Sequence, residues 1–289
     1  MTKISPSYRT DAEVAYGHLV LLFGLAVLLG VFASMFFVPI VRLLVQDKVY
    51  QSILTGALVS LSAFLLPPIV LKGFFLTKRT PFYLRFTAPS LSLSKAGQAL
   101  VIMLLMIPAS SFFGWVMSQI SIPEALIPVQ QAVETETELL LNEQRPVGVL
   151  LVALFLAVVA PFSEEYFFRG GIMGWLIAKT KQTHLWVWVI ALLFSLAHFE
   201  WNGLVARFFM GAVLGYVALY GGIPMAVLTH ALNNLFVYLL YLSFGIEDPF
   251  NPAGGELASG QLILLSVAAL LSLSLLFYLL RTLRPSSDL

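Results

Sequence analysis

The chain has no cysteine, and charged residues make up only 11% of its 289 positions. The first absence excludes disulfides, thiolate metal sites and a cysteine nucleophile. The second is less than half of the roughly 25% found in ordinary soluble domains. Hydrophobic residues reach 59% and the mean hydropathy is strongly positive. A water-soluble protein of this length could not hide so much apolar surface, so lipid is the expected solvent. Internal repeats, low-complexity tracts and a soluble domain are also missing, and 1–289 reads as a single integral membrane domain. A cleavable signal is not evident: the first apolar run, Leu19 to Val41, is too long for a signal core and long enough to span. The net charge of +1 gives no reason to expect nucleic acid as a partner.

What is present is a series of eight hydrophobic segments, at about 15–45, 51–76, 97–120, 147–178, 184–200, 203–220, 223–244 and 261–280. The fifth is the weakest, with an uninterrupted apolar core only from Leu185 to Ala197. Trp186, Trp188 and Trp201 near its ends favour a span with interfacial anchors. With both termini cytoplasmic, eleven basic residues fall in inner segments and three (Arg42, Lys48 and Arg145) in outer loops, while Arg169 and Arg207 lie within spans. That bias is a positive-inside signal. Residues 78–96 read as a basic cytoplasmic loop. The stretch 121–146 reads as an acidic outer loop that includes a short amphipathic piece.

Ionisable residues inside spans need a reason, because each costs about 2.5–3.5 kcal/mol at a helix centre. The fourth segment contains Ser163-Glu164-Glu165-Tyr166-Phe167-Phe168-Arg169-Gly170-Gly171. Glu165 and Arg169 stand one helical turn apart with the acid first, the favoured order for a pair on one face. Glu164 points about 100° away from Glu165, so Arg169 cannot neutralise both alike. One carboxylate reads as structural support with Arg169, and the other is left for chemistry. The fifth segment carries Phe194 and His198; the seventh carries His230 and Asn234, one turn apart. Glu164 and His198 lie equally many residues before and after Lys181, so straight helices would place them at matching depth, roughly 25 Å from the turn. His230 stands closer to its own turn at Gly222 and fits that count less well. His18 and His184 read as interfacial. Arg207 reads as snorkelling outward, with contact to a substrate carboxylate as the alternative. Gly211 and Gly215 have the spacing of close helix packing.

A carboxylate, two imidazoles and an amide, with no thiol and no G-x-S-x-G elbow, suit activation of water for peptide hydrolysis. Glu164 would serve as general base, and a histidine would orient the water or protonate the leaving amine. His230 and Asn234 would donate to the oxyanion. A metal version would use Glu164, His198 and His230 as Zn²⁺ ligands with a position left for water. No H-E-x-x-H motif is present, so no cofactor is favoured. A proton-coupled transporter would also explain buried carboxylates and histidines, as would a scaffold that works by binding alone.

Glu-Glu-x-x-x-Arg at 164–169, Phe-x-x-x-His at 194–198 and His-x-x-x-Asn at 230–234 together resemble the CAAX prenyl protease and bacteriocin-processing family. These are the CPBP or Abi intramembrane endopeptidases, also labelled CAAX protease self-immunity proteins. The stretch Gly211–Tyr216 and the pair Ile223-Pro224 look similar too, and the resemblance covers roughly 145–240. It implies an all-α polytopic membrane helix bundle of about eight transmembrane helices, with the active site between the fourth, fifth and seventh. By position, it implies Glu164 as general base with His198 as catalytic partner. His230 and Asn234 would line the oxyanion and substrate site, and Glu165 with Arg169 would hold the helix. Members are described both as metalloproteases and as metal-independent glutamate proteases. The partner implied is a membrane-associated peptide or protein substrate, prenylated for eukaryotic members and tied to bacteriocin immunity, peptide maturation or scaffolding for bacterial ones.

Overall fold

The computed structural model describes residues 16–70, 91–245 and 257–283. Among these the secondary structure is helical, with no strand. Among the described residues, seven helices are long and apolar enough to cross a membrane: α1 (Val20–Leu44), α2 (Lys48–Val70), α3 (Leu93–Ser118), α5 (Pro146–Ile177), α7 (Leu204–Gly221), α8 (Ile223–Phe244) and α9 (Ser259–Thr282). Between α3 and α5 runs α4 (Ile127–Leu141), and between α5 and α7 the shorter α6 (Thr183–Leu196). The protein is an integral, multi-pass membrane helix bundle.

The fifth hydrophobic segment is therefore shorter than the expected span 184–200. At 1.5 Å per residue, α6 is about 21 Å long, less than the roughly 30 Å of a hydrocarbon core. It ends because Phe199 takes a left-handed conformation, with φ of 53°. His198 and Phe199 close tight turns onto Ser195 and Leu196 instead of continuing the helix. The amphipathic piece expected within 121–146 is a full helix, α4. Most of the basic loop expected at 78–96 lies outside the described residues.

The interior of the bundle is set by small residues. An added Cβ at Gly211 would meet the Ala191 backbone at 3.1 Å, and one at Gly215 would meet Val187 at 2.9 Å. Both glycines let α7 lie directly against α6. As a result α7 is the most enclosed span, with 61% of its apolar window buried, against 17% for α1 and for α9 at the periphery. Helices α6 and α8 flank α7, α8 also packs on α5, and α2 packs on the other side of α5. The α7–α8 turn is closed by Gly222, whose φ of 97° suits glycine. Lys95 at the start of α3 donates to the Gly221 carbonyl at 3.0 Å, placing a cation at the C-terminus of α7.

At the other end of the bundle, an ion cluster joins the α1–α2 turn to the start of α5. Arg145 binds Asp47 and, at 2.5 Å, Glu143. Asp47 also accepts from the Val49 and Tyr50 amides that open α2. Ser52 of α2 bonds Glu136 of α4 at 2.7 Å, and Tyr241 of α8 donates to Asn142 at 2.6 Å, so α4 is tied down at two places. Hydrogen bonds from Arg145 hold both carboxylates at about 2, for Asp47 with help from the Tyr50 amide and for Glu143 from the Arg145 amide. Because these folded-state values are depressed, the stability they confer is complete above their ordinary values of 3.8 and 4.5. It is lost as pH falls toward about 2. Thermal unfolding in detergent should show the wild type losing more of its apparent Tm across that window than Arg145→Ala does.

Candidate active site

The fourth hydrophobic segment of the sequence is α5, and it is not a uniform α-helix. Two π-helical stretches, Phe155–Val159 and Tyr166–Met173, flank a single α-helical piece, Ala160–Glu165. The local sequence explains the break. Pro161 has no N–H to give to the preceding turn, and Gly170 and Gly171 tolerate a widened one. The Ser163 hydroxyl lies 2.8 Å from the Val159 carbonyl and 3.0 Å from that of Ala160, and 2.6 Å from Ser60 Oγ on α2. Insertions of this kind re-aim side chains and cluster at functional sites. They set Glu164 and Glu165 in the one regular turn between two irregular ones.

Glu165 and Arg169 are fully buried and paired, with Arg169 Nη1 donating to Glu165 Oε1 at 2.8 Å. Arg169 Nη2 donates to the Gly211 carbonyl of α7 at 2.9 Å, and its guanidinium lies 4.4 Å over the Phe194 ring of α6. One arginine therefore binds α5 to both neighbours. The sequence expectation of a structural pair describes this geometry, but omits a third member. His230 Nδ1 lies 3.0 Å from the same Glu165 oxygen. A carboxylate can only accept, so Nδ1 carries the hydrogen, and in that neutral tautomer Nε2 is an acceptor. Nothing in the spacing of α5 and α8 signals this contact.

His230 Nε2 faces Glu164, whose Oε2 lies 4.0 Å away. That oxygen is buried and makes no hydrogen bond among the described residues. The Glu164 side chain retains 14% exposure, against none for Glu165. Of the two neighbouring carboxylates, Glu165 holds Arg169 and His230 through Oε1, and the second oxygen of each, Glu164 Oε2 and Glu165 Oε2, is buried without a hydrogen bond among the described residues. His230 therefore lies beside Glu164 although a count from Gly222 along straight helices fits it less well.

His198 does not sit on α6 but in the turn after it. It is half-buried, and its Nδ1–H donates to the Phe194 carbonyl at 2.8 Å, leaving Nε2 free. It makes no ion pair with Glu164 within 4.0 Å. Instead Phe194 stands between the two histidines, with ring centroids 4.8 Å from His198 and 5.7 Å from His230. Asn234 is placed one turn beyond His230 as expected, and its amide donates to the Leu156 carbonyl in the first π-helical stretch at 2.9 Å. One amide hydrogen thus clamps α8 to α5, and the second hydrogen remains. The Arg207 guanidinium folds over Gly203 and pairs with Glu200. Among the described residues no three histidine, aspartate or glutamate side chains gather within metal-ligand reach. Glu164, His198 and His230 do not form a ready Zn²⁺ ligand set in this arrangement.

Residues 146–236 match the family model described as type II CAAX prenyl endopeptidase Rce1-like. The chain is also similar to the membrane-embedded CAAX protease MroQ of Staphylococcus aureus (strain USA300), 28% identical over 118 residues. That alignment covers 39% of this chain and 47% of the relative, so the chain spans about half the length of the curated relative it matches. No solved structure matches significantly. The matched segment runs from the start of α5 into α8 and contains Glu164, Glu165, Arg169, His198, His230 and Asn234, and over it the chain is similar to type II CAAX prenyl endopeptidases.

Proposed function

We propose that the protein is an intramembrane endopeptidase that hydrolyses a peptide bond of a membrane-associated peptide or protein with a water held between Glu164 and His230. The observation that carries this reading is the 4.0 Å between Glu164 Oε2 and His230 Nε2. A water at about 2.8 Å from each would open an angle of roughly 90° between them, close to that between its own two hydrogens. Both of its hydrogens would be engaged and a lone pair would face outward.

Glu164 takes one proton as the water oxygen bonds to the scissile carbonyl carbon. His230, fixed in its Nδ1–H tautomer by Glu165, accepts the other hydrogen and holds the water in line. The carbonyl oxygen becomes an oxyanion, and the free amide hydrogen of Asn234 is the neutral donor suited to it. His198 offers an Nε2 that accepts when neutral and donates when protonated, which fits a group that follows charge at the reacting carbonyl. Collapse of the intermediate breaks the C–N bond, and Glu164 returns its proton to the leaving amine. No step is routed through a metal. The orientation with both termini cytoplasmic belongs to the same proposal, and it puts the α4 end of the bundle outside.

Two substitutions at adjacent positions separate chemistry from structure. Glu164→Gln should fold and melt like the wild type, yet cleave a peptide library at least about a hundredfold more slowly. Glu165→Gln removes the carboxylate that neutralises buried Arg169, and should cost about 3–5 kcal/mol of stability, read as a lower apparent Tm or loss of folded protein. Wild-type cleavage by Glu164→Gln would sink the proposal in favour of a scaffold that works by binding. Solute flux through vesicles without cleavage would favour a transporter.

A further inference from the structure

Three residues after His198, the Trp201 amide donates to Oε1 of Gln130 at 2.6 Å. Gln130 belongs to α4, in a stretch that reads as a surface loop in the sequence, yet it is buried at 5% exposure. Its own amide donates to Glu134 at 2.7 Å, which fixes which end of the side chain faces Trp201. Asn202 Nδ2 reaches the same Glu134 oxygen at 3.4 Å, and the Trp201 indole reaches the Ile120 carbonyl at 3.3 Å. On its other side the turn is anchored by Ser195 Oγ donating to the Leu204 carbonyl at 2.5 Å and by the Glu200–Arg207 pair.

Between His198 and these anchors lies Phe199, with its φ of 53°. A bulky residue in the left-handed region is strained and persists only when its surroundings impose it. The Phe199 side chain is 70% exposed, so packing of its own ring does not account for the strain. What holds the backbone is the set of bonds on either side, and the Gln130 bond is the shortest of those that come from outside the α6–α7 connection.

We infer that Gln130 is a positioning residue for His198: by clamping the Trp201 amide, α4 keeps the 198–203 turn in its strained form and the imidazole in register with Glu164 and His230. This rests on the reading of His198 as part of a hydrolytic site. It gives α4 a task beyond covering the end of the bundle, because a helix remote in sequence holds one of the site residues.

The test uses full-length protein in detergent and the peptide that the wild type cleaves. Gln130→Ala should lower kcat about tenfold, the scale of losing one strained backbone conformation, with KM and apparent Tm nearly unchanged. Phe199→Gly removes the cost of the left-handed conformation. Alone it should leave kcat near wild type, and combined with Gln130→Ala it should restore most of the loss. An unchanged kcat in Gln130→Ala overturns the inference, and so does a loss that Phe199→Gly does not restore. Hydrogen exchange at the Trp201 amide keeps the clamp testable apart from catalysis. Should no peptide be cleaved, the hydrolytic reading fails; should His198→Ala be fully active, the reading of His198 as a site residue fails; in either case the inferred role in register falls with it. Faster exchange in Gln130→Ala would then still show the clamp, and unchanged exchange would remove that too.

Discussion

The arrangement depends on a single carboxylate oxygen. Glu165 Oε1 accepts from both Arg169 and His230, and neither it nor Arg169 has any contact with solvent. A buried guanidinium without a counter-charge is not tolerated in a membrane interior, so Glu165 has to be where it is. Once it is there, it fixes the tautomer and direction of the His230 ring, and through Arg169 it fixes the Gly211 carbonyl of α7. Three helices are brought to register by one atom. With Arg169 and His230 Nδ1 committed to Glu165, Glu164 Oε2 is left without a hydrogen bond among the described residues.

The helix that carries the two acids is built to present them. An unbroken α-helix would direct residues 164 and 165 about 100° apart with no other freedom. The π-helical turns on either side, together with Pro161 and the Ser60–Ser163 hydroxyl pair, let the intervening turn rotate and shift against α2 and α8. Asn234 stitches the first irregular stretch to α8, which ties the position of one site residue to the backbone that positions another. The close approach of α6 and α7 at Gly211 and Gly215 completes the enclosure, and Phe194 fills the space between Arg169, His198 and His230.

Much of this was legible because lipid penalises polar residues so heavily that each one inside an apolar run stands out. Glu164, Glu165, Arg169 and His230 could be singled out on that ground, and the Glu165–Arg169 pair from its spacing of one turn. The glycine spacing in α7 likewise announced tight packing. The Glu165–His230 bond was not legible, since contact between α5 and α8 leaves no periodic trace in either helix. Nor were the π-helical turns, which no pattern in the sequence of α5 signals. His198 reads as a helical residue because its segment is apolar over enough residues to span, whereas the backbone turns at Phe199. Gln130 was hidden for the opposite reason: a polar residue in an acidic, loop-like stretch carries no penalty that would draw attention to it.

The central claim is that Glu164 and His230 activate water without help from a metal. It is tested most directly by single-turnover peptide cleavage in ¹⁸O-labelled water, using protein stripped of metals by a chelator and checked by elemental analysis. The account expects cleavage at the rate of untreated protein, with one labelled oxygen in the new carboxylate. Loss of cleavage on stripping, restored in proportion to one added equivalent of a divalent metal, would contradict it.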